Sequence, residues 1–346
     1  MSIAFKQVVR LGLLAAIVAS ATPGTAQAQS AFAPVSQAEW AKIVSAARGE
    51  GRVVVYGGPT AQTGAQYKAA FEKQYPGITL EYTRLFGQQL MVKLEQERNG
   101  NLDGADFVIT PELPWIADEV KKNAFKAPVG PANAAWPARF TASGVAPLLA
   151  LEPFIMAVNT NLVKTPVTGY ADLLRPEFKG RIGIVEPVAA VLIAWYDWLE
   201  KTQGGDFLSR IAAQSPRIYV TALPMTQAAI GGEIAFAAFT TPTVLTPFLR
   251  QGAPVKMVVP SPSVGTAYAG VVVAWAKRPN AALVYMDFMM SPPGQSSWAG
   301  SGEVASPLGV PGSLDAKSVN YLDPSKFGGE VTKAFEARFR GLFKGQ

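Results

Sequence analysis

Apolar positions along this chain switch between a helical spacing and short unbroken runs, and the switch points mark its elements. Trp40, Ile43, Val44 and Ala47 repeat at helical spacing, and Gly49 and Gly51 end that helix. Val53, Val54, Val55 and Tyr56 form an unbroken run, as expected of a strand covered on both faces. Gly57, Gly58 and Pro59 then turn the chain at the strand's carboxyl end, where open α/β sheets place their ligands. Tyr67, Ala70, Phe71 and Tyr75 line one helix face that Pro76-Gly77 terminates. The run from Ile78 to Tyr82 alternates like a strand and opens into a loop from Thr83 to Gly87. A helix from Gln88 to Arg98 turns Leu90, Met91 and Leu94 inward and stops at Asn99-Gly100. Ala105 to Thr110 is a third strand, followed by a loop from Pro111 to Trp115. Strands and helices in this order predict right-handed βαβ units and a mainly parallel sheet with three loops on one edge.

The second half repeats the alternation without a clear internal period. Leu151 to Asn159 reads as one extended apolar run, and Ile182 to Val185 as a strand ending at Glu186-Pro187. Val191, Leu192, Trp195 and Leu199 mark the following helix; Phe207, Leu208 and Ile211 mark another, closed by Ser215-Pro216. Ile218 to Thr221 is a strand, a helix after Pro224 ends at Gly231-Gly232, and Ile234 to Phe239 runs into the loop Thr240 to Thr243. Val255 to Val259 and Ala269 to Ala276 are predicted strands flanking a polar connector from Pro260 to Tyr268. Pro279 opens a helix carrying Ala282, Leu283, Met286, Met289 and Met290 on one face. A tail helix from Glu330 to Phe343 stacks Phe335, Phe339 and Phe343 for packing.

The amino-terminal segment sets the expected compartment. Lys6 and Arg10 precede the apolar stretch Leu11 to Ala21, and Ala26-Gln27-Ala28 supplies a small-x-small cleavage pattern, so residues 1–28 read as a signal peptide. That stretch is shorter than the roughly 20 apolar residues a spanning helix needs. The chain has no cysteine, so a lipoprotein anchor, a disulfide framework and a thiolate site are ruled out. It also has no histidine, which removes the commonest general base and zinc ligand. The formal net charge is +6, and its lysines and arginines are scattered singly, which gives no footprint for nucleic acid. These features predict an exported periplasmic protein that needs no cofactor.

Five blocks now carry a resemblance: WAKIVSAARGEGRVVVYGG, KLEQERNGNLDGADFVI, ADLLRPEFKGRIGIVEP, MTQAAIGGEIAFA and RPNAALVYMDFMMSPPGQ. In this order the chain resembles bacterial extracellular solute-binding proteins of the ferric-ion-binding-like group, the periplasmic receptors of ATP-driven (ABC) importers. The resemblance implies an α/β, two-lobed periplasmic-binding-protein fold, each lobe a mainly parallel sheet flanked by helices and joined by hinge strands. By this resemblance, residues 29–147 and 266–314 make one lobe, and residues 148–265 and 315–346 the other. It also implies ABC permease subunits as partners, for a protein expected to be a monomer. Iron does not carry over. Ferric members place two adjacent tyrosines where this chain has Phe239-Thr240-Thr241, and neutral hydroxyls are poor ligands for a hard trivalent ion.

The predicted strand ends nominate the ligand contacts Gly58, Pro59 and Thr60; Arg84, Phe86 and Gln88; Glu112 and Trp115; Glu186; Thr240, Thr241 and Thr243; and Thr266 and Tyr268. Arg84 is the cation among them, and its planar fork suits a carboxylate or phosphate. Glu112 and Glu186 repel an anion unless paired, and Glu186 also suits the start of the next helix. Val188-Ala189-Ala190 leaves the second wall apolar. The reading is a small organic, anionic solute bound for import without chemistry. Two alternatives stand beside it. One is a secreted hydrolase or transferase using Glu112 and Glu186 as an acid/base pair, and the other a receptor serving a sensor or chemotaxis partner.

Overall fold

Small residues and apolar runs build two sheets rather than one. The computed structural model describes residues 32, 34–327 and 330–343; the expected signal peptide lies outside them. The strands Arg52–Gly57, Thr79–Arg84 and Phe107–Thr110 pair in parallel, with Val55 beside both Tyr82 and Phe107. They belong to a ten-stranded sheet that continues through Ser263–Val273 and Ala146–Pro153. A five-stranded sheet holds Ile155–Asn159, Ile182–Val185, Arg217–Tyr219, Phe236–Thr240 and Val255–Val258. Each sheet has its own buried apolar cluster, one around Phe71, Phe107, Tyr285 and Phe288, the other around Trp195, Phe236 and Phe239. The fold is therefore two-lobed α/β. Both sheets are mixed, parallel where helices connect successive strands and antiparallel where the joining strands enter.

The joining strands differ from the sequence reading. The apolar run around Phe154 is two strands in two sheets, Ala146–Pro153 in the first and Ile155–Asn159 in the second. The expected polar connector is mostly strand: Ser263–Val273 lies antiparallel to Ala146–Pro153, pairing Gly265 with Pro153 and Thr266 with Glu152. An added Cβ at Gly265 would stand 2.0 Å from the Glu152 carbonyl oxygen, so only glycine allows this approach. The first sheet thus reaches Pro153, past the boundary expected at residue 148, and takes in Val319–Tyr321 as well. The tail helix Glu330–Phe343 packs on the second cluster through Phe339 and Phe343.

Capping and buried charge bind the first lobe. Ser36 and Glu39 form a capping box on helix Gln37–Glu50, and Gly51 closes it in the left-handed conformation at φ 74°. At its far end, Glu50 accepts the free N–H groups of Asn280 (3.2 Å) and Ala281 (2.7 Å), capping helix Pro279–Met290. On that second helix Asp287 is 3 % exposed, and its carboxylate accepts the Ala132 N–H at 2.7 Å. Burial pushes its pKa up to about 6. The native state therefore holds a proton the unfolded chain has already lost between about pH 4 and 6. This contribution favours folding at the acid end and is lost as pH rises through 6. Asp287→Asn is expected to gain roughly 2–3 kcal/mol over the parent at pH 7 and close to nothing at pH 4. Urea unfolding of both proteins across that range checks it.

Candidate functional site: a cleft between the two sheets

Loop ends of both sheets meet over the joining strands, and the cleft there has two arms. The first arm, about 150 Å³, is built on the turn after strand Arg52–Gly57. Tyr82 reaches over that turn and donates its hydroxyl to the Pro59 carbonyl at 2.7 Å. This is possible because Gly64, where a Cβ would fall 2.2 Å from the Tyr82 ring, leaves the helix flank open. Thr60 then caps helix Ala61–Gln74, accepting the Thr63 N–H at 3.2 Å. Arg84, at the end of its strand, donates through Nε to the Gly58 carbonyl at 3.3 Å. Its guanidinium lies 4.8 Å from the Phe86 ring centre. Tyr268 and Trp298, with ring centres 5.4 Å apart, wall this arm.

The second arm, about 290 Å³, has a mainly apolar wall that includes Leu113, Phe154, Ala190, Val191 and Leu322. Glu112, Thr241 and Thr266 supply its polar atoms alongside the shared floor. Glu112 precedes helix Leu113–Lys121 without capping it through its side chain. Among the described residues its carboxylate has no hydrogen-bond or ion-pair partner, and burial alone raises its pKa.

Glu152 and Tyr268 line both arms and form the floor between them. Glu152 is 5 % exposed, in strand Ala146–Pro153 just before the chain crosses to the second lobe. It accepts the Tyr268 hydroxyl at 3.1 Å and, across the cleft, the Thr243 N–H at 3.3 Å. Burial raises its pKa, and the neighbouring donors on Thr243, Thr241 and Tyr268 oppose that rise. A second link between lobes pairs Arg250, on helix Pro242–Arg250, with Glu303 at 3.2 Å.

The nominated residues divide. Gly58, Pro59, Thr60, Arg84, Thr243 and Tyr268 meet in the first arm; Glu112, Thr241, Thr266 and again Tyr268 meet in the second. Phe86 lines neither arm: it stays 52 % exposed under Arg84. Gln88 and Trp115 fall on an outer groove with Arg98 and Trp275, because both lie in helices that carry them off the sheet edge. Glu186 lines a separate crevice against Phe339 and Arg340 of the tail helix, so it does not face Glu112. Thr240 is buried within its strand and accepts the Thr226 hydroxyl at 2.9 Å. Thr243 sits not in a loop but in the first turn of helix Pro242–Arg250. Sequence reasoning missed Glu152, whose one available signal is a single carboxylate inside the apolar run LLALEPFIMAVN. Among the described residues, no three acidic side chains gather closely enough to hold a metal ion.

Two lobes, a cleft between their strand ends and paired joining strands define a ligand-binding protein of the bilobal class. The family model for "Bacterial extracellular solute-binding protein" matches residues 52–302, and the chain belongs to that family. Solved structures agree on the fold. The substrate-binding protein of an ABC transporter from Agrobacterium tumefaciens is 16% identical with a TM-score of 0.67, over 86% of this chain and 97% of that one. The periplasmic binding protein AfuA from Actinobacillus pleuropneumoniae, with fructose-6-phosphate bound, is 19% identical with a TM-score of 0.63, over 85% and 99%. Iron-bound HitA from Pseudomonas aeruginosa is 19% identical with a TM-score of 0.62, over 83% and 99%. No protein of curated function matches the sequence.

Proposed function

We propose that this chain is the periplasmic receptor of an ABC importer. It captures a small organic solute between its lobes, hands it to the membrane permease and releases it unaltered. The observation that carries this reading is the two-armed cleft whose floor, Glu152 and Tyr268, lies on the strands joining the lobes. A solute touching both walls adds contacts that exist only when the lobes are together, and so favours the closed arrangement. We place the lobe boundaries in those strands, residues 34–153 with 263–321 against 154–262 with the tail helix. Arg84 is the proposed contact for an anionic group, together with the free N–H groups of the helix that Thr60 caps. Ferric ion is disfavoured because Thr240 is spent inside its strand and Thr241 is a neutral ligand. The lining of separate cavities by Glu112 and Glu186 speaks against an acid/base pair, and so against the hydrolase or transferase reading.

A thermal-shift screen of organic acids, amino acids, sugar phosphates, polyamines and ferric salts tests this reading. A true ligand at a hundred times its Kd is expected to stabilise the fold by roughly 2.7 kcal/mol. Mass spectrometry of the recovered solute should find it intact. Failure of every solute class to stabilise the protein, or turnover of the one that does, contradicts the proposal.

A further inference from the structure

Each arm of the cleft carries one charged side chain that no other side chain serves, a cation in the first and a carboxylate in the second. In the first arm, Arg84 bonds only the Gly58 carbonyl and has no carboxylate partner among the described residues. In the second, the Glu112 carboxylate faces an apolar wall with no cation lining it. Between them Glu152 lines both arms without a cation partner among the described residues, and one neutral donor already serves each of its oxygens, the Thr243 N–H and the Tyr268 hydroxyl. The other carboxylate close by, Glu303, is paired with Arg250.

Resting on the solute-receptor reading, we infer that the ligand is a linear zwitterion, its oxyanion seated at Arg84 and its ammonium group at Glu112. A single anion leaves Glu112 without a counter-charge in a mainly apolar arm. A single cation leaves Arg84 unmatched. A ligand with both ends answers both charges, and its methylene chain passes over Tyr268 and the apolar wall. The rise in the Glu112 pKa through burial agrees, since a nearby ammonium group is what restores its charged form.

Isothermal titration with 3-aminopropanoate, 4-aminobutanoate, 5-aminopentanoate and 6-aminohexanoate tests this, each beside its N-acetyl form and the matching alkylamine. At least one ω-amino acid is expected to bind, and its N-acetyl form and the amine to bind about tenfold weaker or worse. Glu112→Gln should cost the amino acid about tenfold while leaving the N-acetyl form unchanged, so that the preference disappears. Arg84→Ala should weaken both. Glu112 has no partner to lose, so its variant is expected to melt with the parent, and circular dichroism confirms that the affinity change is local. N-acetyl forms binding as tightly as the free amino acids, or a Glu112→Gln variant with unchanged affinity, overturn the inference and leave the receptor reading intact. Binding by none of these probes also overturns it, and the broad solute screen then decides whether the receptor reading falls with it.

Discussion

Arg278→Ala is expected to destabilise the protein by about 3–5 kcal/mol, among the largest losses for a change outside the cleft. Arg278 is 7 % exposed and Asp106 is fully buried, with Nε donating to the Asp106 carboxylate at 2.6 Å. The same carboxylate accepts the Arg278 N–H at 3.1 Å and the Val54 N–H at 2.8 Å, while the guanidinium also holds Asp103 at 3.1 Å. Removing the cation leaves a carboxylate buried between two core strands without a counter-charge. Burial already pushes the Asp106 pKa up even with Arg278 present. In the variant that rise grows, so the deficit should shrink as pH falls and Asp106 takes up a proton. Lysine should rescue only part, because it offers a point charge where the site uses a fork. Urea melts of the parent, alanine and lysine proteins at pH 4.5 and 7.5 measure all three effects; equal midpoints at pH 7.5 would sink the assignment.

Gly265→Val is expected to cost about 3 kcal/mol and, in the protein that still folds, to weaken solute binding as well. The added Cβ overlaps the Glu152 carbonyl and the Pro153 backbone, where no side-chain rotation relieves it. The joining strands must separate at the residues that carry Glu152 and Tyr268 into the cleft. Gly104→Ala provides the comparison. Its Cβ would fall 2.0 Å from the buried Glu97 carboxyl group, and neither residue lines an arm of the cleft. Both variants should unfold at lower temperature, but only the Gly265 variant should lose affinity for a stabilising solute when both are folded. Equal affinities in the two proteins would mean that the strand pair does not shape the site.

Much of the fold was legible because its signals are local. The run Val53 to Tyr56, the helix after Pro279 and the strand Ile182–Val185 sit where periodicity placed them. What escaped was non-local. Phe154 continues an apolar run, so nothing in the sequence marks the point where the chain leaves one sheet for the other. The residues Ser263, Gly265 and Thr266 look like a connector, yet their small side chains let two strands pass closely. Helix Pro242–Arg250 was hidden by Pro247 inside it, a residue that costs a helix its hydrogen bond and is normally read as a break. Candidate site residues followed the same division. Turn residues such as Gly58 and Thr60 announce themselves, whereas Glu152 matters only because a threonine helix end from the other lobe arrives above it.

Small-angle scattering of the protein alone and saturated with a solute found by thermal shift tests the two-lobed clamp most directly. The account predicts a smaller radius of gyration and a shorter maximum dimension with solute bound, both lost when the solute is dialysed away. Identical scattering in the two states, at a solute concentration that calorimetry shows to be saturating, would contradict it.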